Sequence, residues 1–382
     1  MTSDEHFSAH AARLREFIRR HSPGVPTADR LSREESERQF NTLALDLFGL
    51  HYAHNPAYRS LCQARKKFPM DVTHWTEIPA APAVAFKEME MTTLCEDERI
   101  TVFHSSGTTE QKPSRHFHNA ESLALYETSL LPWFQTHLLA DMDDFVEHGQ
   151  PGMISLTPPP ELAPHSSLVY MFATVQREFG SRDSLFAGTV GDDGWSLDME
   201  KLLFGLRKST NRPLLLLGTA FNFVHLLDHF AANNIHYRLA EGSRVLETGG
   251  YKGRSRTLPK TELHELITNH LGIPASHIVC EYGMSELSSQ AYDRTIAFSV
   301  VAPSRLFSFP PWSRAQIISP ETGREVSEGE TGLIRIIDLA NLRSVLAVQT
   351  EDLGARRGDG FELIGRAAQA EPRGCSLLAS DL

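Results

Sequence analysis

A chain of 382 residues, 41% hydrophobic and 22% charged, has the apolar material for a large core and for more than one structural unit. Its formal net charge of −11 argues against nucleic acid as a partner. No run approaches the ~20 apolar residues of a bilayer span, and the polar start Met1-Thr-Ser-Asp-Glu-His has no signal core, so the expected location is cytoplasmic.

Residues 1–90 read as a mostly helical segment. Phe7, Ala11, Leu14 and Ile18 recur at helical spacing, and Ser32 with Glu35 makes a capping box ahead of Phe40, Leu43, Leu47 and Phe48. Pro79 and Pro82 then break the pattern and open an extended passage to Phe86-Lys87. Residues 91–310 read as an α/β core. Strands at Leu214–Leu217, Arg244–Glu247 and His277–Glu281 alternate with helices at Ala220–Ala232 and from Thr261, the second stopped by Gly272 and Pro274. Residues 311–364 read as hairpins of a small distorted β-barrel, with strands Arg314–Ile318 and Leu333–Ile337, and 365–382 as a short tail.

Four segments carry the chemistry. His104-Ser-Ser-Gly-Thr-Thr-Glu-Gln-Lys-Pro-Ser114 follows a strand at Ile100–Phe103. Its backbone amides, hydroxyls and Lys112 suit a polyphosphate, and a polar surface turn is the alternative. Glu281-Tyr-Gly-Met-Ser-Glu286 leaves a strand end, where α/β sheets bind ligands. Tyr282 there offers a flat face for a purine and Glu286 a hard oxygen for Mg²⁺. Thr350-Glu-Asp-Leu-Gly354 reads as a turn whose carboxylates suit ribose hydroxyls. Gly360-Phe-Glu-Leu-Ile-Gly-Arg366 follows it closely. Alone, the first loop favours the phosphate reading, the Glu281–Glu286 segment favours an ordinary strand exit, and the last two could each be a surface turn.

In order and spacing the four resemble the phosphate loop, the Tyr-Gly-x-Ser/Thr-Glu segment, the ribose segment and the Gly-Arg hinge of the adenylate-forming superfamily. The passage Ile78-Pro to Phe86-Lys87, the segment Glu247-Thr-Gly-Gly250 and the tail Arg373-Gly-Cys375 resemble more narrowly the acyl-protein synthetases of bioluminescence fatty-acid reductase complexes. The resemblance implies an adenylate-forming α/β domain with parallel sheets and a truncated C-terminal domain. It also implies an ATP-dependent ligase that makes acyl-AMP from a fatty or similar acid, moves the acyl group to its own cysteine and hands it to a reductase or other acceptor protein.

The site residues follow from it. Ser105, Ser106, Gly107, Thr108 and Thr109, with Lys112, cradle the phosphates; Thr108 and Glu286 hold Mg²⁺. Thr248, Gly249, Gly250, Tyr282, Gly283 and Ser285 surround the nucleotide, and Asp352 and Arg366 meet the ribose. Thr109, Glu286 and Cys375 form the catalytic set, Cys375 as acyl acceptor. Two departures stand out. Glu110 replaces the usual glycine after Thr-Thr, and Leu382 follows Arg366 too soon for the usual C-terminal domain and its lysine. Lys87, Lys112, Lys252 and Arg373 are all candidates for the missing cation. Two alternatives follow from these departures: a CoA ligase or stand-alone adenylating enzyme for an aryl acid, and a non-catalytic nucleotide-binding subunit.

Weaker features point to structure. Cys62, Cys95, Cys280 and Cys375 form no CxxC pair. His225 and His229, one helical turn apart, have no third ligand nearby in sequence, and His116-Phe-His118 alternates as in a strand.

Overall fold

The computed structural model describes residues 2–105, 112–142, 150–191, 194–209, 211–250, 256–293, 295–296 and 305–366. Helix α1 (Ser3–His21) buries Phe7, Ala11, Leu14, Phe17 and Ile18. Helix α2 (Arg33–His54) starts at the Ser32–Glu35 capping box and buries Phe40, Leu43, Leu47 and Phe48. Both stripes face inward as the periodicity predicts. Asn55 ends α2 and caps α3 (Pro56–Ala64), whose proline occupies the first turn, where its missing N–H costs nothing.

The extended passage is shorter than expected. Only β1 (Ala81–Pro82) is a strand, and Ala85–Glu88 turns into a short helix, α4, because the Phe86 and Lys87 amides bond back to Ala83 and Val84. Strands β2 (Thr101–His104) and β3 (Arg115–His118) then form an antiparallel hairpin whose connection is the phosphate-loop candidate.

The middle of the chain is a twisted, mostly parallel sheet. Its strands are β4 (Gly152–Ser155), β5 (Leu185–Phe186), β8 (Leu214–Thr219), β9 (Arg244–Thr248), β10 (Ile278–Tyr282) and the antiparallel β11 (Ala291–Tyr292), in the order β11-β10-β9-β8-β4-β5. A hairpin of β6 (Gly188–Gly191) and β7 (Gly194–Leu197) stands apart from it. Every residue of β8, β9 and β10 is buried, which is why Leu214–Leu217 reads as an unbroken apolar run. Helices α5 (Ala120–Leu138) and α6 (Ser167–Phe179) cover the face carrying Met153, Leu215, Leu217, Leu246 and Val279. Beyond α7 (Met199–Lys208), helices α8 (Ala220–Ala232) and α9 (Lys260–Leu271) cover the face carrying Ile154, Leu216, Val245 and Ile278. Gly272 stops α9 at φ +72°, a conformation suited to glycine.

The second sheet runs β12 (Leu306–Phe307), β16 (Gly360–Arg366), β15 (Ala347–Arg357), β14 (Thr331–Asp338) and β13 (Ser313–Ile318), all antiparallel neighbours. Strand β1 joins β15 in parallel. Thr350–Gly354, expected as a turn, lies inside β15. Asp352 pairs with Arg366 across the ladder, and a register shift at Leu353/Gly354 bends the strand where glycine and acidic residues suggest a loop. The apolar faces of α1 and α2 share one core with this sheet, through Trp312, Ile334, Ile336, Val348 and Phe361.

Candidate active site

The flanks of the phosphate-loop candidate are pinned together. Ser114 N donates to Ser105 Oγ at 3.0 Å, and Ser105 N to Ser114 O at 3.4 Å. Ser114 then reaches across the molecule, with its Oγ 3.1 Å from that of Ser285. Ser285 donates to Glu286 Oε2 at 3.0 Å, so both hydroxyls stand beside that carboxylate. His116, on β3, donates from Nδ1 to the Ser285 carbonyl at 2.9 Å. Burial pushes this imidazole down to about 4, so it is neutral at physiological pH.

Glu286 is 4% exposed. Burial raises its carboxyl, while the Ser114 and Ser285 hydroxyls and the Lys87 charge act against that rise. Its backbone is fixed as well, because Asn341 Nδ2 donates to Glu286 O at 2.9 Å. Asp338, fully buried on β14, accepts from the Ser288 and Ser289 amides at 2.9 and 2.8 Å. Ser106, Gly107, Thr108 and Thr109 lie outside the described residues, as do Lys252, Arg373 and Cys375. Lys112 is described and exposed.

Tyr282 hydroxyl donates to Asp352 Oδ2 at 2.9 Å, and Arg366 Nε lies 3.4 Å from the other oxygen. The Tyr282 ring, read in the sequence as a flat face for a purine, is packed edge-on against Phe307, Phe309 and Phe361 and is 7% exposed. Burial, then the Asp352 charge, keeps its hydroxyl protonated. Beside Gly249 and Gly250 an added Cβ meets no atom of the described residues within 4 Å, and Gly249 takes φ +65°. Thr248 ends β9 and its hydroxyl donates to Glu281 Oε2, a contact the sequence pattern did not announce. Burial raises the Glu281 carboxyl to about 7 despite that bond. At Gly283 an added Cβ would sit 2.2 Å from Glu281 Oε1, so a side chain there would displace that carboxyl.

On the opposite face of the same strands, Glu247, His264 and Cys280 bring ligand-type atoms within 4.8 Å of one another. Lys260 Nζ is 3.2 Å from Glu247 Oε2, and Arg305 donates to His264 Nδ1 at 2.9 Å and lies 3.3 Å from Cys280 Sγ. His264 therefore carries its proton on Nε2, facing Glu247. Burial alone would raise Glu247, but the His264 hydrogen bond and Lys260 hold it down at about 2. The trio is part of an ion-pair network rather than a metal centre. His225 and His229 enter no metal-type cluster among the described residues.

The arrangement joins a hydroxyl-rich loop base to a buried carboxylate just past β10, and Tyr282 at the end of β10 holds Asp352 of β15. It suits a nucleotide, and Glu286 suits a hard dication such as Mg²⁺ because a cation compensates a buried carboxylate. Known proteins bear on that reading. The family model described as "Acyl-protein synthetase, LuxE" matches residues 26–382. The long-chain-fatty-acid–luciferin-component ligase of Aliivibrio fischeri is 24% identical over 360 residues, 90% of this chain and 88% of that relative. Its namesake from Vibrio harveyi is 23% identical over 371 residues, 93% and 90% of the two chains. Among solved structures, 2-hydroxyisobutyryl-CoA ligase in its thioesterification state has a TM-score of 0.62 at 12% identity, covering 91% of this chain and 70% of that one. That likeness shows the fold, one shared with this ligase. The chain belongs to the LuxE acyl-protein synthetase family and is a ligase.

Proposed function

We propose that the enzyme activates a long-chain fatty acid, or a similar carboxylic acid, with ATP and Mg²⁺, carries the acyl group on Cys375 and delivers it to a reductase or other acceptor protein. The hydrogen-bond run Ser105–Ser114–Ser285–Glu286 carries the reading, because it joins the loop base to the segment that follows β10. A carboxylate oxygen attacks the α-phosphorus, the bond to the β-phosphate breaks and pyrophosphate leaves. Both reactants are anions, so the protein's task is to hold them in line and offset charge. Ser105–Thr109 would face the phosphates, Thr108 and Glu286 would hold Mg²⁺, which would offset negative charge on the pyrophosphate, and Asp352 would receive the ribose. Lys87, on α4, bears electrostatically on Glu286 and is the candidate cation for this site.

In the second step the Cys375 thiolate attacks the acyl carbon and AMP departs. The described thiols favour this assignment. Burial raises Cys62 to about 11 and Cys280 well up, and the Glu98 carboxylate raises Cys95, so none of the three is an activated nucleophile. Among the described residues no helix is long and apolar enough to cross a membrane.

The test is a denaturing gel after incubation with ATP, Mg²⁺ and radiolabelled tetradecanoic acid. Hydroxylamine-labile label on the protein, abolished by Cys375→Ala while pyrophosphate exchange persists, is expected. Thioester appearing only on added CoA, or no exchange with any acid, overturns the reading.

A further inference from the structure

Glu281 is the least expected group in the interior. A buried carboxyl without an ion-pair partner is costly, and its one described hydrogen bond comes from the Thr248 hydroxyl. The surroundings repeat the pattern. Thr219, Thr248 and Glu281 stand side by side at the carboxyl ends of β8, β9 and β10, in register and on the same sheet face. Below them on that face lie Leu217, Leu246 and Val279, all apolar. The polar row therefore sits only at the ligand-binding edge of the sheet.

Unsatisfied groups lie along that row. Asn222 is 1% exposed, and its carbonyl oxygen is held by Thr219 N and Oγ1 at 3.1 and 2.7 Å, yet its Nδ2 has no hydrogen-bond partner among the described residues. The Tyr292 hydroxyl is also buried without a partner among the described residues, and Tyr292 pairs directly with Glu281 across β10 and β11. Gly283 leaves the space that the Glu281 carboxyl needs. Tyr282, the next residue, points to the other face and holds Asp352, so the row adjoins the nucleotide site across one strand.

We propose that the acid activated here carries a hydrogen-bond-donating substituent near its carboxyl, a hydroxyl or an ammonium group, and that Glu281 receives it. The inference rests on the adenylation reading above. A plain alkyl chain would leave the carboxyl with the Thr248 hydroxyl alone and would offer nothing to the Asn222 amide and the Tyr292 hydroxyl, the arrangement that rejects an analogue lacking the polar group.

The experiment measures ATP–pyrophosphate exchange with octanoate, 2-hydroxyoctanoate, 3-hydroxyoctanoate, 2-aminooctanoate and tetradecanoate. We expect at least one substituted acid to exceed octanoate and tetradecanoate about tenfold or more in kcat/KM. Glu281→Ala brings that ratio close to one, and the isosteric Glu281→Gln serves if the alanine variant fails to fold. Equal or better use of the unsubstituted acids by the native enzyme, or a ratio unchanged in both variants, overturns the inference while adenylation stands. Exchange with none of the five acids overturns adenylation and the inference together.

Discussion

Ser114 and Ser285, 171 positions apart, share a buried 3.1 Å hydrogen bond, and through it the base of the first loop is tied to the Glu286 carboxylate. Ser285→Ala removes the link between them. We expect pyrophosphate exchange to fall about a hundredfold, with thermal stability lowered by only about 1 kcal/mol. Exchange within threefold of the native rate would show that this tether does not position the site.

Asp338 holds the segment after Glu286 from below, accepting from Ser288 N, Ser289 N, Ser289 Oγ and Ala340 N. Asp338→Asn turns an amide donor toward some of these donors. A loss on the order of 3 kcal/mol in urea unfolding is expected, together with lost exchange activity. A native midpoint would exclude the role.

Tyr282→Phe deletes the 2.9 Å bond to Asp352 and leaves the ring packing in place. The expected outcome is a rise in KM for ATP of about tenfold with kcat little changed, since one charge-assisted bond is lost. A changed kcat at constant KM would place Asp352 away from the ribose.

His10 gives the fold an acid-sensitive point. It is 3% exposed, neither ring nitrogen has a hydrogen-bond partner among the described residues, and burial, with Arg13 and His51 adding to it, lowers its pKa from 6.5 to about 3. Between those values the unfolded chain binds a proton that the folded chain refuses. The contribution is therefore complete above pH 6.5 and shrinks as pH falls toward 3. From pH 6.5 to pH 5 the loss is about 2 kcal/mol for this group alone. His51 and His116, each lowered to about 4 with burial as the main cause, act in the same direction. Urea midpoints of native protein and His10→Leu at pH 7 and 5 test this: the variant loses less, and an identical drop in both would refute it.

Helix and strand positions with one dominant period were legible in the sequence. The α1 and α2 stripes, the Ser32–Glu35 cap, the Leu214 run and the Gly272 stop depend on local chemistry, and the structure places each where that chemistry puts it. Thr350–Gly354 was misread as a turn because its glycine and carboxylates mimic a loop, whereas its strand state comes from pairing with β14 and β16. The Phe86 turn was missed for a related reason: two nearby prolines outweighed a four-residue helix too short for a periodic signature. In the site, residue types announced Asp352 and Glu286 but not what they touch. The Tyr282 packing and the Thr248–Glu281 contact arise from strand register and sheet face, which a linear pattern does not encode.

The core shared by the first helices and the last sheet sets a constraint on biosynthesis. The imidazole of His51 closes on the Leu342 carbonyl, 291 positions later, and Arg343 reaches back 339 positions to Asp4. At ribosomal speeds of about 5–20 residues per second, the greasy sides of α1 and α2 wait roughly fifteen to sixty seconds for their counterpart to be made. Nascent chains of this enzyme are thus natural clients for a holding chaperone, and a ribosome stalled before codon 330 leaves an aggregation-prone fragment.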